Sequence, residues 1–149
     1  MSSKRFSSEK VRGYLERIVR DCLKVSKRIK GVDKKEFVES EKETMDEKRD
    51  AIAKRLENIG ENVWKLLTQT NIFDKYPYED WESIAGFRHI CVHDYDVIDF
   101  DDVYDIAVNE IPRLLQNICR IYEEEYKCSA IEIVSKKYKL VLRKNNWGE

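Results

Sequence analysis

The sequence predicts an all-α protein, a single bundle of amphipathic helices. Three features lead there. Gly and Pro are scarce, at 5 and 2 of 149 residues; charged residues make up 38% against 42% apolar; and apolar residues recur at intervals of three and four along several long stretches. With few breakers the helices run uninterrupted, and the charge gives each a solvated outer face. A chain of this length can bury a core without disulfides or metals. Cys22, Cys91, Cys119 and Cys128 are scattered with no C-x-x-C pair, so they are read as reduced residues, mostly of the core. No apolar run approaches the roughly 18 residues of a membrane span, and the start lacks the apolar segment of a secretory signal. A cytoplasmic protein is expected.

The first helix is expected from about Ser8, with Val11, Tyr14, Leu15, Ile18, Cys22, Val25 and Ile29 on one stripe and Gly31 ending it. Asp33 is a fair N-cap for a second helix containing Phe37. The charged run S-E-K-E-T-M-D-E-K-R-D that follows is either a solvated face or a loop. A long central helix then carries Met45, Ile52, Leu56, Ile59, Val63, Leu66 and Leu67 near heptad spacing. Gly60 sits inside it. A mid-helix glycine costs about 1 kcal/mol against alanine, which suggests that another helix backbone passes close by.

Pro77 and its Asn and Asp neighbours make a connector, and Asp80 caps a helix placed by Trp81, Ile84, Ala85, Arg88, Cys91 and Val92, ending in V-H-D-Y-D-V-I-D. Trp64 and Trp81 are both expected in the core. Asp99 caps a last long helix from Val103 to Tyr122, in which Pro112 should produce a kink or a division. The tail S-A-I-E-I-V-S-K-K-Y-K-L-V-L-R-K alternates like two short strands. It is read as a hairpin, a swapped arm or a loose tail, which divides the chain into a bundle domain over 1–128 and an extension over 129–149.

Charge is distributed unevenly. Met1 to Lys35 holds twelve Lys and Arg against four Asp and Glu, whereas Asn71 to Glu110 holds two against eleven. A basic segment beside an acidic one suits either an anionic polymer or an acidic partner surface.

The stretch W-E-S-I-A-G-F-R-H-I-C-V-H-D-Y-D-V-I-D-F holds both histidines. On an α-helix the five-residue step from Arg88 to His93 turns roughly 140°, so the two converge only if the helix frays near His93. A neutral imidazole can take the proton of a 2'-hydroxyl at cellular pH, and a guanidinium can hold two phosphate oxygens as charge builds on them. These are the parts of a metal-independent RNA cleavage. One histidine does not readily serve as both base and acid, which favours a twofold dimer with apposed sites. The rival reading, a metal held by His89 and His93 at four-residue spacing with Asp94 or Cys91, lacks an obvious third ligand and an H-E-x-x-H glutamate. Taken singly, Arg88 reads as a salt-bridged surface arginine, His93 as a helix-end histidine and Tyr95 as a packing aromatic.

The ordered set resembles a HEPN domain of the HepT toxin type, the partner of minimal nucleotidyltransferase antitoxins. That family carries R-x4-6-H with a polar residue after the Arg, extended in its HepT branch to R-x4-H-x-Y; here Arg88, His89, His93 and Tyr95 stand in register. K-K-E-F-V around Phe37, L-E-N-I-G-E-N-V, Y-P-Y-E-D-W-E-S-I-A-G-F-R and N-E-I-P-R-L around Pro112 follow in the family's order, over roughly residues 10 to 122. The resemblance implies an up-and-down bundle of about five helices that pairs into a homodimer. It implies further an endoribonuclease toxin of a type VII-like toxin–antitoxin system, with Arg88 and His93 catalytic, His89 supporting, and Tyr95 the hydroxyl that the antitoxin modifies with AMP. No cofactor or metal is implied. The alternative is a catalytically weak dimer serving as substrate and scaffold for the nucleotidyltransferase. Two departures from the family pattern are the charged segment 41–50 and the tail after Tyr126.

Overall fold

The computed structural model describes residues 6–91 and 98–140. The described residues form helices α1 (Ser8–Ile29), α2 (Lys34–Glu39), α3 (Glu43–Gln69), α4 (Trp81–Ala85), α5 (Phe100–Asp105), α6 (Ile111–Tyr126) and α7 (Ala130–Lys137), with no strand among them. The all-α expectation holds.

Local chemistry sets most helix starts. The side chains of Ser7, Asp33, Asp80 and Asp99 accept from the backbone N–H three residues on, at 3.1, 2.8, 3.1 and 3.2 Å. Gly31, at φ +78°, takes the left-handed conformation that follows α1. The charged run resolves into the first turns of α3, where Met45 and Arg49 are buried and their neighbours are solvated. Arg49 Nη1 donates to the Phe37 carbonyl at 2.8 Å, which ties α3 to the end of α2.

α1 lies against both α3 and α6. Its first turns share a cavity with Trp64 and Thr68 near the end of α3, while Lys24 and Arg28 share another with Lys48 near its start, so α1 and α3 are antiparallel. Tyr122 and Tyr126 reach back to Glu16 and Ser8, making α6 antiparallel to α1 as well. The stripes read from the sequence meet in one core, with Leu15, Ile18, Ile52, Leu56, Ile59, Leu114 and Ile118 fully buried. Pro112 falls in the first turn of α6, where its missing N–H is tolerated, after a π-helical segment, Ile106–Glu110, that separates α6 from α5. The helical backbone is not broken there: Asp105, Ile106, Glu110 and Ile111 all keep right-handed helical angles, so a change of winding just ahead of the proline stands in place of the expected division.

Of the hairpin, swapped arm and loose tail weighed for the end of the chain, the hairpin is overturned over residues 130–137. Residues 130–137 are helical, and Ser129 accepts from the Glu132 amide at 3.3 Å as an N-cap. Ala130 and Val134, four apart on one face, are fully buried in the same core as α1 and α6. Lys137 closes the arrangement, donating to Glu16 Oε1 at 2.7 Å, while the Tyr122 hydroxyl donates to Glu16 Oε2 at 2.6 Å. All four cysteines are free, but only Cys22 is buried; the others are partly exposed at the edge of the core. No helix among the described residues is long and apolar enough to cross a membrane.

Candidate functional site

Gly60 and Trp64 lie one turn apart on the same face of α3. Across that face runs the segment that continues α4, the 3₁₀ turn Gly86–His89. A Cβ placed at Gly60 would collide with the Arg88 amide nitrogen and would stand 2.7 Å from the Phe87 carbonyl carbon and 2.9 Å from the Phe87 Cβ. The backbone foreseen beside Gly60 is therefore the one that carries Arg88, and only glycine lets it come so near.

The tighter winding redirects Arg88. In a 3₁₀ turn residues i and i+3 eclipse one another, and Arg88 Nη1 folds back to donate to the Ala85 carbonyl at 2.8 Å. Its guanidinium carbon stands 4.0 Å from the centroid of the Trp64 ring, a cation–π contact. Trp64 is 39% exposed, so the expectation of a core residue is corrected: it stands one position off the buried stripe, beneath Arg88. Trp81 is in the core as expected, stacked on Phe73 at 3.9 Å with its indole N–H donating to the Tyr76 carbonyl at 2.7 Å.

Trp64, Glu82, Ala85, Arg88 and the exposed His89 line a groove of about 480 Å³. A second cavity continues from it, sharing Trp64 and Thr68 and adding Lys10, Tyr14 and Lys65. One face of the Arg88 guanidinium is covered by the indole and one N–H is used by a carbonyl. No carboxylate pairs with it among the described residues. Its remaining donors suit an anion brought into the groove.

The 140° separation assumed an α-helix through His93. The helical winding instead ends at His89, with a turn at Ile90 and Cys91, so that estimate does not apply. His93 and Tyr95 lie outside the described residues, as does the Asp94 invoked for a metal. Of the four motif residues, the structure brings Arg88 and His89 to one groove.

Sequence reasoning missed two supports. Trp64 carried a signal in its four-residue spacing from Gly60. Glu79 and Arg113 stand in the segments Y-P-Y-E-D-W and N-E-I-P-R-L, but nothing local tells that they pair: Glu79 is a buried carboxylate in the connector, accepting from Arg113 Nε at 3.2 Å, Arg113 Nη2 at 2.9 Å and Asn117 at 2.9 Å. It pins the chain entering α4 to α6, and so fixes where Arg88 is delivered.

The family described as "Ribonuclease HepT-like" matches residues 14–121. The chain belongs to the HepT-like ribonuclease family. A protein of Caldanaerobacter subterraneus subsp. tengcongensis named "Putative RNase TTE0752" is 30% identical over 114 residues, 76% of this chain and 96% of that relative. Two proteins of Methanocaldococcus jannaschii are also similar. "Putative RNase MJ0127" is 31% identical over 74 residues, half of this chain and 60% of that protein. "Putative RNase MJ1380" is 25% identical over 112 residues, 75% of this chain and 96% of that protein. No solved structure gives a significant match. Gly60, Trp64, Glu79 and Arg88 fall within the HepT-like region, and α7 falls beyond it.

Proposed function

We propose that this HepT-like chain is a metal-independent endoribonuclease toxin acting as a cytoplasmic homodimer. Family membership supports RNA cleavage, and one observation carries the assignment of the site: Arg88 is fixed at the wall of an open groove by an indole and a carbonyl and is in no ion pair among the described residues, although Glu82 lines the same groove. A cation held that way is ready for a phosphodiester. His93 removes the proton of the 2'-hydroxyl, whose oxygen attacks the adjacent phosphorus; the bond to the 5'-oxygen breaks, leaving a 2',3'-cyclic phosphate. The 5'-oxygen receives a proton from the partner's His93, so each imidazole acts once per turnover. Arg88 binds the non-bridging oxygens as their charge grows. His89, exposed on the same groove, supports substrate binding.

The regulatory half of the proposal is that a minimal nucleotidyltransferase antitoxin transfers AMP to Tyr95. The added phosphate and adenosine would repel and occlude the substrate phosphate.

The test is His93→Ala, read by cleavage of a labelled RNA, growth inhibition on expression, and dimer mass in solution. Cleavage and toxicity should both vanish with the dimer intact. Retained toxicity with an intact dimer overturns the nuclease mechanism and leaves the scaffold reading. Intact mass spectrometry after co-expression with the antitoxin should show added AMP that Tyr95→Phe removes.

A further inference from the structure

The basic segment noted in the sequence has a structural focus that the proposed cleavage does not use. At the end of the α1–α3 pair remote from Arg88, a cavity of about 440 Å³ is lined by Lys24, Lys27, Arg28, Lys48 and Lys139 over a floor of Leu23 and Leu140, with no acidic residue in its wall among the described residues. Three separate elements converge to supply these cations. Asp21, whose charge reaches Lys24 and Arg28, is already shared: fully buried, it accepts from Arg55 at 2.6 Å and Arg20 at 3.1 Å. None of the five lining cations is in an ion pair among the described residues, and Arg28 Nη1 is buried without a hydrogen-bond partner. Burial first, then the charges of Arg55, Arg28 and Arg20, pull the Lys24 pKa down against the opposing charge of Asp21; burial and Arg55 do the same to Arg28, again against Asp21. A buried donor without a partner, in a wall of cations that form no ion pair of their own, suits an anion.

We propose that this cavity binds phosphate groups of the RNA backbone as a second, non-catalytic docking site for the substrate. Position favours a polymer over a free ion. Lys48 and Trp64 are sixteen residues apart on α3, about 24 Å at the α-helical rise, a span of several nucleotides. Along α1, Lys10, Arg17 and Lys24 recur every seven residues and so share a face. They form a positive seam from the cavity beside Trp64 to this one. RNA held at both ends of the seam is aligned across the groove before any bond is broken.

The inference rests on the ribonuclease reading, and its test keeps the two apart. In the His93→Ala background, binding of a labelled single-stranded oligoribonucleotide is measured by fluorescence anisotropy across a salt series. The variants are Lys24→Gln/Arg28→Gln, with folding checked by thermal melting, and Lys139→Gln, whose exposed site beyond α7 leaves the core untouched. Each should weaken binding, the double variant by about tenfold at low salt, and the slope of log affinity against log salt should shrink by about 0.7 for each phosphate that is no longer neutralised. Unchanged affinity and slope in both variants overturns the proposal. So does a loss confined to inorganic pyrophosphate, measured by calorimetry, because it would assign the cavity to a small free anion. If the wild type cuts RNA while these variants bind like it, the docking site fails and the nuclease reading stands. If the wild type does not cut but the variants lose binding, the reverse holds.

Discussion

Arg113 and Arg88 are supported in opposite ways. Arg113 reaches a carboxylate with two of its nitrogens, Nε at 3.2 Å and Nη2 at 2.9 Å, and the Glu79 side chain that receives them is only 2% exposed. That arginine is neutralised, and its work is to hold the connector on α6. Arg88 is held by an aromatic face and a backbone carbonyl. Neither partner carries charge. The same side chain thus serves architecture where a buried carboxylate meets it, and stays electrostatically available where only neutral groups do. Asp21 with Arg20 and Arg55 follows the first pattern, and the Lys24–Arg28 cavity departs from it by holding surplus cations.

The comparison breaks most visibly at Arg88 itself. Arg88→Ala should lower the rate of RNA cleavage by about 10² to 10³, the usual effect of removing one donor to a developing oxyanion, equivalent to about 2.7–4 kcal/mol of barrier. Its melting temperature should stay close to wild type, since no buried carboxylate loses a partner. A large fall in melting temperature with activity per folded molecule retained would place Arg88 in the architectural class beside Arg113.

Gly60→Ala is the next largest and is decided by sign. Helix propensity alone favours alanine at a mid-helix site by about 1 kcal/mol. The close approach of Phe87 and the Arg88 amide opposes it, and overpacking of that kind costs about 1–3 kcal/mol. Thermal unfolding should show net destabilisation, together with reduced cleavage as the Arg88 turn shifts. A stabilised, fully active variant would mean that the tight packing at Gly60 has no part in placing Arg88.

The smallest effect concerns Glu16, where charge is fully paired. Burial would raise its pKa, but hydrogen bonds from Lys137, Tyr122 and Arg12 and the charge of Lys137 together outweigh it, leaving the pKa below the ordinary 4.5. A depressed carboxylate pKa contributes stability that is fully present above pH 4.5 and is lost as pH falls through the lower folded value. Glu16→Gln should cost about 1 kcal/mol at neutral pH, and melting curves from pH 7 to pH 3 should converge, because only the wild type has this carboxylate to protonate. Curves that stay parallel would show that the α1–α6–α7 junction does not depend on the charge of Glu16.

The helix starts at Asp33, Asp80 and Asp99 were legible because a cap is an interaction between residues three apart, written entirely in local sequence. Gly60 was legible as a conformational cost without local cause. What lay across it was not, because the neighbour is Phe87–Arg88, over two dozen residues on. The tail misled through a short apolar run, I-E-I-V, that suits strand and helix alike; the S-x-x-E cap at Ser129 pointed to helix, and burial of Ala130 and Val134 against the core settled it. The continuous α-helix expected through Val92 gave way at Gly86, where close packing on Gly60 accompanies a tighter winding that local spacing does not encode.

By itself the sequence determined the helical class, the caps, the apolar stripes and the residues of the R-x4-H-x-Y motif, since each is fixed by chemistry within a few residues. Only the tertiary structure decided which cations are neutralised and which stay open: Asp21 claims Arg55 and Glu79 claims Arg113 across more than thirty residues of chain, while the Arg88 guanidinium is held by Trp64 and the Ala85 carbonyl and is in no ion pair among the described residues. Pairing of charges depends on distance in space, and that is set when the helices pack.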